Sequence, residues 1–276
     1  MRGSNEYKFF YLHTHVMEIA GYIASALVGI TMGLLGGGGS ILTIPILVYL
    51  FSISPTLAIS YSLFIVGFTS MVGAVDNFRK GLVDLKTAGL FGSSSVTTVF
   101  LTRKFIIPNV PDVFFTIGSF RVTHAMFVMV MFAVLMIAAS VSMIRNRKPS
   151  ANPKAIVKPQ KLVSFGILIG LVTGFLGAGG GFLLIPALVL LMRLPMKKAI
   201  GTSLFIISLN SLIGFLGDIG RHPIEWKLIV VITCIAIAGI FVGGYFNSRV
   251  PARKLKTAFG WFVLVMGLFI IIRELL

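Results

Sequence analysis

The sequence contains one unit twice. Displaced by 141 residues, Gly33-Leu34-Leu35-Gly36-Gly37-Gly38-Gly39 falls on Gly174-Phe175-Leu176-Gly177-Ala178-Gly179-Gly180, and Ile44-Pro45 falls on Ile185-Pro186. In the same register Ser62-Leu63-Phe64-Ile65 matches Ser203-Leu204-Phe205-Ile206, and half of the positions from 33 to 66 are identical to their partners without a gap. The register still aligns Val83-Asp84-Leu85-Lys86 with Ile224-Glu225-Trp226-Lys227. Such a duplication restricts the chain to folds in which two copies of one motif pack against each other.

The solvent for these copies is lipid. Of 276 residues 57% are hydrophobic and 12% charged, whereas soluble domains carry about 25% charged residues. Disorder, fibrous repeats and an ordinary soluble enzyme are thereby excluded. Apolar segments run over 17–35, 40–51, 57–77, 84–102, 121–144, 162–176, 181–192, 198–217, 227–246 and 256–274. At about 20 residues per crossing they predict roughly eight to ten membrane elements, an all-α polytopic membrane protein. The segments 40–51 and 181–192 would each be about 18 Å long as helices, too short for a hydrocarbon layer of about 30 Å. Each is expected as part of a glycine-broken helix or of a re-entrant hairpin meeting its counterpart near the midplane.

The expected organisation is a first repeat over 1–144 with a short N-terminal extension, a basic linker over 145–161, and a second repeat over 162–276. Five apolar elements per copy, an odd number, predict two inverted-topology repeats. Arg145, Arg147, Lys148, Lys154, Lys158 and Lys161 without an acid place the linker in the cytoplasm by the positive-inside rule. Arg193, Lys197 and Lys198, Arg249, Arg253, Lys254 and Lys256, and Arg79, Lys80 and Lys86 then fall inside, with both termini outside the cell membrane. Arg103, Lys104 and Arg121, on an expected outer loop, run against the scheme. The net charge of +16 is loop charge of this kind and does not imply a nucleic-acid partner. Cys234 is the single cysteine, so no intrachain disulfide forms. No cleavable signal peptide is expected ahead of the first apolar run.

A glycine run before a helix exposes backbone N–H groups, and the helix N-terminus adds roughly half a positive charge. Two such runs, from opposed half-helices, make a site for an anion. The candidate substrate-binding residues are Gly36, Gly38, Gly39 and Ser40 in the first copy and Gly177, Gly179, Gly180 and Gly181 in the second. Ser62, Thr202, Ser203 and Asn210 are candidate side-chain donors, with Asn210 the partner of Thr69. Pro45 and Pro186, each six residues beyond its glycine run, are expected to kink their helices and shape the cavity. The alternative is that the glycines serve helix packing alone.

Neither a dinucleotide fingerprint in a βαβ setting nor a GxxxxGK[ST] sequence occurs, so no nucleotide and no other cofactor is expected. His13, His15 and His124 lack partners at metal-ligand spacing. No charged residue falls in the middle of an expected span, and Asp76 and Asp218 fall at helix ends. Ser62 and Ser203 have no base in their segments, so no enzyme activity is expected. The partners expected are the bilayer and a small anion, with the coupling ion and a homo-oligomeric state left open.

The doubled pattern resembles the sulfite exporter TauE/SafE family, which includes 4-toluene sulfonate uptake permease-like proteins. The residues that carry the resemblance are the runs Gly33 to Ser40 and Gly174 to Gly181, Pro45 and Pro186, Tyr61-Ser62 and Thr202-Ser203, then Gly81-Leu82-Val83-Asp84 and Pro223-Ile224-Glu225-Trp226. Ser40 and Tyr61 depart from the family's glycine and threonine, and the glycine before Ile224-Glu225-Trp226 is missing. The resemblance implies a secondary permease for sulfite, thiosulfate, sulfonates or related anions, working by alternating access. A passive anion channel and a non-transporting scaffold or sensor are the alternative readings.

Overall fold

The computed structural model describes residues 3–111, 113–117, 120–145, 159–177, 180–190, 192, 194–247 and 252–275. Most of the expected linker, and Arg193 and Arg249 with it, lies outside these residues. The chain is helical nearly throughout. Helix α1 (Gly3–Leu35) continues as a 3-10 helix (Gly36–Leu42) into the short α2 (Thr43–Tyr49), followed by α3 (Pro55–Arg79). A continuous rod over 85–109 then joins α4 (Leu85–Thr87) and α5 (Ser93–Leu101) through wide π turns at Ala88–Gly92 and Thr102–Ile106, closing in a 3-10 turn at Ile107–Asn109. After the hairpin β1 (Val113–Ile117) and β2 (Phe120–Thr123) comes α6 (His124–Ile144). The second copy holds α7 (Pro159–Leu176), α8 (Gly181–Leu190), α9 (Met196–Leu216), α10 (Trp226–Asn247) and α11 (Ala252–Leu275).

Among the described residues seven helical stretches are long and apolar enough to cross a membrane. The rod over 85–109, about 37 Å long at helical rise, is long enough to be an eighth, and α2 and α8 are too short. The 141-residue register holds structurally: α1 and α7 end at Leu35 and Leu176, α3 and α9 begin at Pro55 and Met196, and the rod and α10 begin at Leu85 and Trp226. It breaks at the hairpin, which has no counterpart because only 248–251 separate α10 from α11. The segment expected to be apolar helix from residue 121 is therefore strand up to Thr123. Arg103 is also no loop residue; the rod carries it inside the protein, at 3% exposure.

Glycines set the close helix contacts. A methyl group built on Gly29 would lie 2.0 Å from the Ala236 carbonyl oxygen, and one on Gly33 would lie 2.4 Å from that of Ile240, so α1 and α10 run parallel with their backbones touching. Gly166, Gly170 and Gly174 of α7 meet Phe91, Ser95 and Thr102 of the rod in the same parallel sense. Since α7 is the copy of α1 and α10 the copy of the rod, one interface is made twice, each time between copies. The spacings 29/33, 239/243 and 166/170/174 place glycine on one helix face every fourth residue, the small-residue pattern that lets membrane helices approach. The helices that are each other's copies run antiparallel. Gly67 lies on Leu212 and Gly214 on Leu63 between α3 and α9, and Gly260 lies on Ile144 and Gly267 on Met136 between α11 and α6.

Two hydroxyls tie the copies together. Tyr61 of α3 accepts the Glu225 N–H at 2.8 Å, and its copy Thr202 of α9 accepts the Asp84 N–H at 2.9 Å. Each therefore fixes the start of the fourth element of the other copy, and the Asp84 carboxylate accepts the Thr87 N–H at 2.8 Å as the N-cap there. Tyr61 departs from threonine in type, yet its hydroxyl makes the matching bond.

Gly243→Ala is expected to lower the melting temperature of the purified protein, because its methyl group would lie 2.2 Å from the Ile30 carbonyl oxygen, an overpacking of about 1–3 kcal/mol. Gly244→Ala, whose methyl group meets nothing within 4 Å, should leave it unchanged. Thr202→Val should cost about 1 kcal/mol through the unpaired Asp84 N–H, with Thr202→Ser near wild type, read by the same melts.

Candidate functional site

The glycine run of the first copy is wound, not open. Gly36 (φ +70) follows the last residue of α1 and Gly177 (φ +65) follows the last residue of α7, both in the left-handed conformation that ends a helix. These two are copies of one another, and a methyl group on either would meet copied isoleucines, Ile200 beside Gly36 and Ile59 beside Gly177. Gly36–Leu42 then forms a buried 3-10 helix whose internal bonds engage backbone N–H groups. Ser40 donates its hydroxyl to the Gly37 carbonyl at 2.8 Å. Pro45 lies in the first turn of α2, where a missing N–H disturbs little, while Pro186 is interior to α8.

The two runs touch. A methyl group on Gly181 would lie 2.1 Å from the Gly37 carbonyl oxygen, and one on Gly37 would lie 2.9 Å from the Gly181 Cα. Gly39 rests on Thr31 and Met32 of α1, and Gly180 on Thr173 of α7. Gly38 differs from these neighbours. It is buried, and among the described residues a methyl group there would meet nothing nearer than the Leu35 Cβ at 4.0 Å. Gly179, its copy, lies outside the described residues.

The candidate side-chain donors divide. Thr202 is engaged with the Asp84 N–H, and Ser203 donates to the Ile200 carbonyl of its own helix at 2.8 Å. Asn210 donates its amide N–H to the Ser95 hydroxyl at 2.8 Å, while its carbonyl oxygen is buried without a partner among the described residues. The Ser62 hydroxyl is likewise unpartnered. The structure adds Thr69, Ser70 and Ser211, fully buried with unpartnered hydroxyls. Thr69 is the copy of Asn210 and Ser70 that of Ser211; all four lie where α3 and α9 cross, between the contacts Gly67–Leu212 and Gly73–Leu204. Ser70-Ser211 was readable in the repeat register, but their burial follows from the crossing.

Buried hydroxyl groups left unpaired cost about 1–3 kcal/mol each, so a band of them in the most enclosed helices, α3 and α9, fits a polar guest better than dry packing. Its donors are neutral and suit an anion through hydrogen bonding. Among the described residues there is no group of three or more His, Cys, Asp or Glu able to hold a metal.

Comparison with known proteins agrees with this architecture. The sulfite exporter TauE/SafE family model matches residues 22–270. A probable membrane transporter protein of Xylella fastidiosa is 30% identical over 91% of this chain and 94% of its own length. The probable membrane transporter protein YdhB of Bacillus subtilis is 25% identical over 89% and 96%, and one from Methanocaldococcus jannaschii is 24% identical over 95% and 97%. No solved structure matches significantly. With its doubled glycine motif and multi-pass helical fold, the chain belongs to the sulfite exporter TauE/SafE family of membrane transporters.

Proposed function

We propose that the chain is a secondary transporter of small sulfur-containing anions of the sulfite, thiosulfate and sulfonate class, by alternating access around a site between the glycine turns. The observation that carries this reading is the clearance at buried Gly38, whose added methyl group would have no described atom nearer than 4.0 Å, beside the Gly37–Gly181 contact where the two copies converge. Packing alone does not account for Gly38, since the buried packing glycines have backbone or side chain close against them and, among the described residues, Gly38 has nothing nearer than 4.0 Å. A bare anion in hydrocarbon costs tens of kcal/mol unless donors replace its water. Ser62, Thr69, Ser70 and Ser211, on α3 and α9, hold buried hydroxyls with no partner among the described residues for that role.

Antiparallel packing of α3 on α9 and of α6 on α11 supports inverted copies, and inverted copies support a mechanism in which each half takes the other's conformation in turn. In this reading the linker is cytoplasmic and both termini are outside, as the loop charges indicate. Hydroxyl and amide donors would favour a multi-oxygen anion such as thiosulfate or a sulfonate, whose oxygens accept several bonds at once.

In proteoliposomes, thiosulfate or sulfite flux is expected to saturate and to show counterflow; flux that stays linear with concentration would indicate a passive pore. Gly38→Val should leave the melting temperature within about 2 °C, since its side chain enters open space, yet cut flux at least tenfold. Wild-type flux in a folded Gly38→Val protein would overturn the placement of the site.

A further inference from the structure

The copies differ in buried charge beside the second glycine turn. Arg103, in the π turn of the rod, bonds the Asp218 carboxylate, with side-chain exposures of 4% for both. Arg103 also donates to the Ser60 hydroxyl at 3.2 Å and to the Gly174 carbonyl at 3.4 Å. Ser60 donates to the same carboxylate at 2.6 Å. Arg221 pairs with the other Asp218 oxygen at 3.2 Å and donates to the Arg103 and Lys104 carbonyls, groups that the wide turn leaves available. The cluster adjoins the second glycine turn, because Gly174 begins the glycine motif and Gly177 rests on Ile59, the neighbour of Ser60.

In the 141-residue register, Gly201, Gly243 and Gly244 stand where the first copy has Ser60, Thr102 and Arg103, and Asn77 stands where the second has Asp218. Lys80 stands where the second copy has Arg221, but it is exposed and paired with Asp76, so the matching place has no buried ion pair. An ion pair this deep is costly to desolvate and gives little net stability, so its one-sided presence calls for another role.

Its charge count points to that role. Two guanidinium groups share one carboxylate, leaving an excess of one positive charge. Among the described residues the buried Arg103 Nε–H has no partner, and neither has the Thr102 hydroxyl beside Gly174. Arg221, a quarter exposed, and Lys104, which is exposed, extend the positive charge toward the surface.

We propose that Arg103 is a second anion-binding station, and that Asp218 is its internal stand-in, a carboxylate that the transported anion displaces from the guanidinium. An anion with several oxygens would accept from the Arg103 Nε–H, from a terminal Arg103 N–H freed by Asp218, and from the Thr102 hydroxyl. The released Asp218 keeps Arg221, so neither charge is stranded. Occupied by Asp218, the station closes this end between the first and second copies; occupied by substrate, it opens it. This inference rests on the transport reading above.

The test is thiosulfate binding to the purified protein by calorimetry. Asp218→Asn removes the competing charge at constant shape and is expected to tighten thiosulfate binding about tenfold. Arg103→Gln should weaken it more than tenfold, and Arg103→Gln with Asp218→Asn should stay weak, because relief of competition has no value without the guanidinium. Ser60→Ala, which loosens Asp218 without changing a charge, should tighten binding by a smaller factor and serves if Asp218→Asn does not fold. Unchanged or weaker binding in folded Asp218→Asn or Ser60→Ala, or full affinity in Arg103→Gln, overturns the proposal. Wild-type protein that binds none of thiosulfate, sulfite and taurine would overturn the transport reading itself.

Discussion

The contact on which the structure turns is that of two backbones, at Gly37 and Gly181, with no side chain between them. Polar backbone can leave regular helix inside a membrane only where protein or a wet cavity satisfies it. Here each copy meets that condition for the other. The first glycine after α1 and after α7 ends its helix, the residues after Gly36 wind into a buried 3-10 helix, and Gly181 of the other copy closes on Gly37. A side chain at either contact residue would force the copies apart, and with them the crossing of α3 and α9.

The other cross-copy devices follow from the same arrangement. The α1–α10 interface and the α7–rod interface are one design used twice, with glycine every fourth residue so that helix backbones touch. The Tyr61 and Thr202 hydroxyls hold the start of the opposite fourth element. Because the largest helix interfaces, α1 on α10, α6 on α11 and α3 on α9, each join one copy to the other, motion of one half must alter the other. That is the mechanical requirement of alternating access.

Much of this was legible in the sequence, for identifiable reasons. The duplication fixed equivalent positions, so the ends of α1 and α7 and the starts of α3 and α9 fall where the register puts them. The hairpin was not legible, since Val113–Ile117 fell between the apolar segments 84–102 and 121–144 and residues 121–123 merged with the helix that follows. Arg103 was read as loop charge because a cation after an apolar run usually is, and its partner Asp218 lies 115 residues away. Thr202 carried a donor signal but is engaged in a cap, whereas Ser70 and Ser211 became candidates only once burial left their hydroxyls unpaired. Among the glycines, type alone does not separate Gly36, which stops a helix, from Gly37, which meets Gly181, and Gly38, which faces space; only geometry does.

The central claim, that the space beside Gly38 is where the transported anion sits between the copies, is tested most directly by thiol labelling. Gly38→Cys in a Cys234→Ser background, treated with a small anionic thiol reagent in native membranes, should be modified, and added thiosulfate should slow that modification severalfold. Labelling of Gly38→Cys that proceeds at the same rate with and without thiosulfate, or no labelling under either condition, would contradict it.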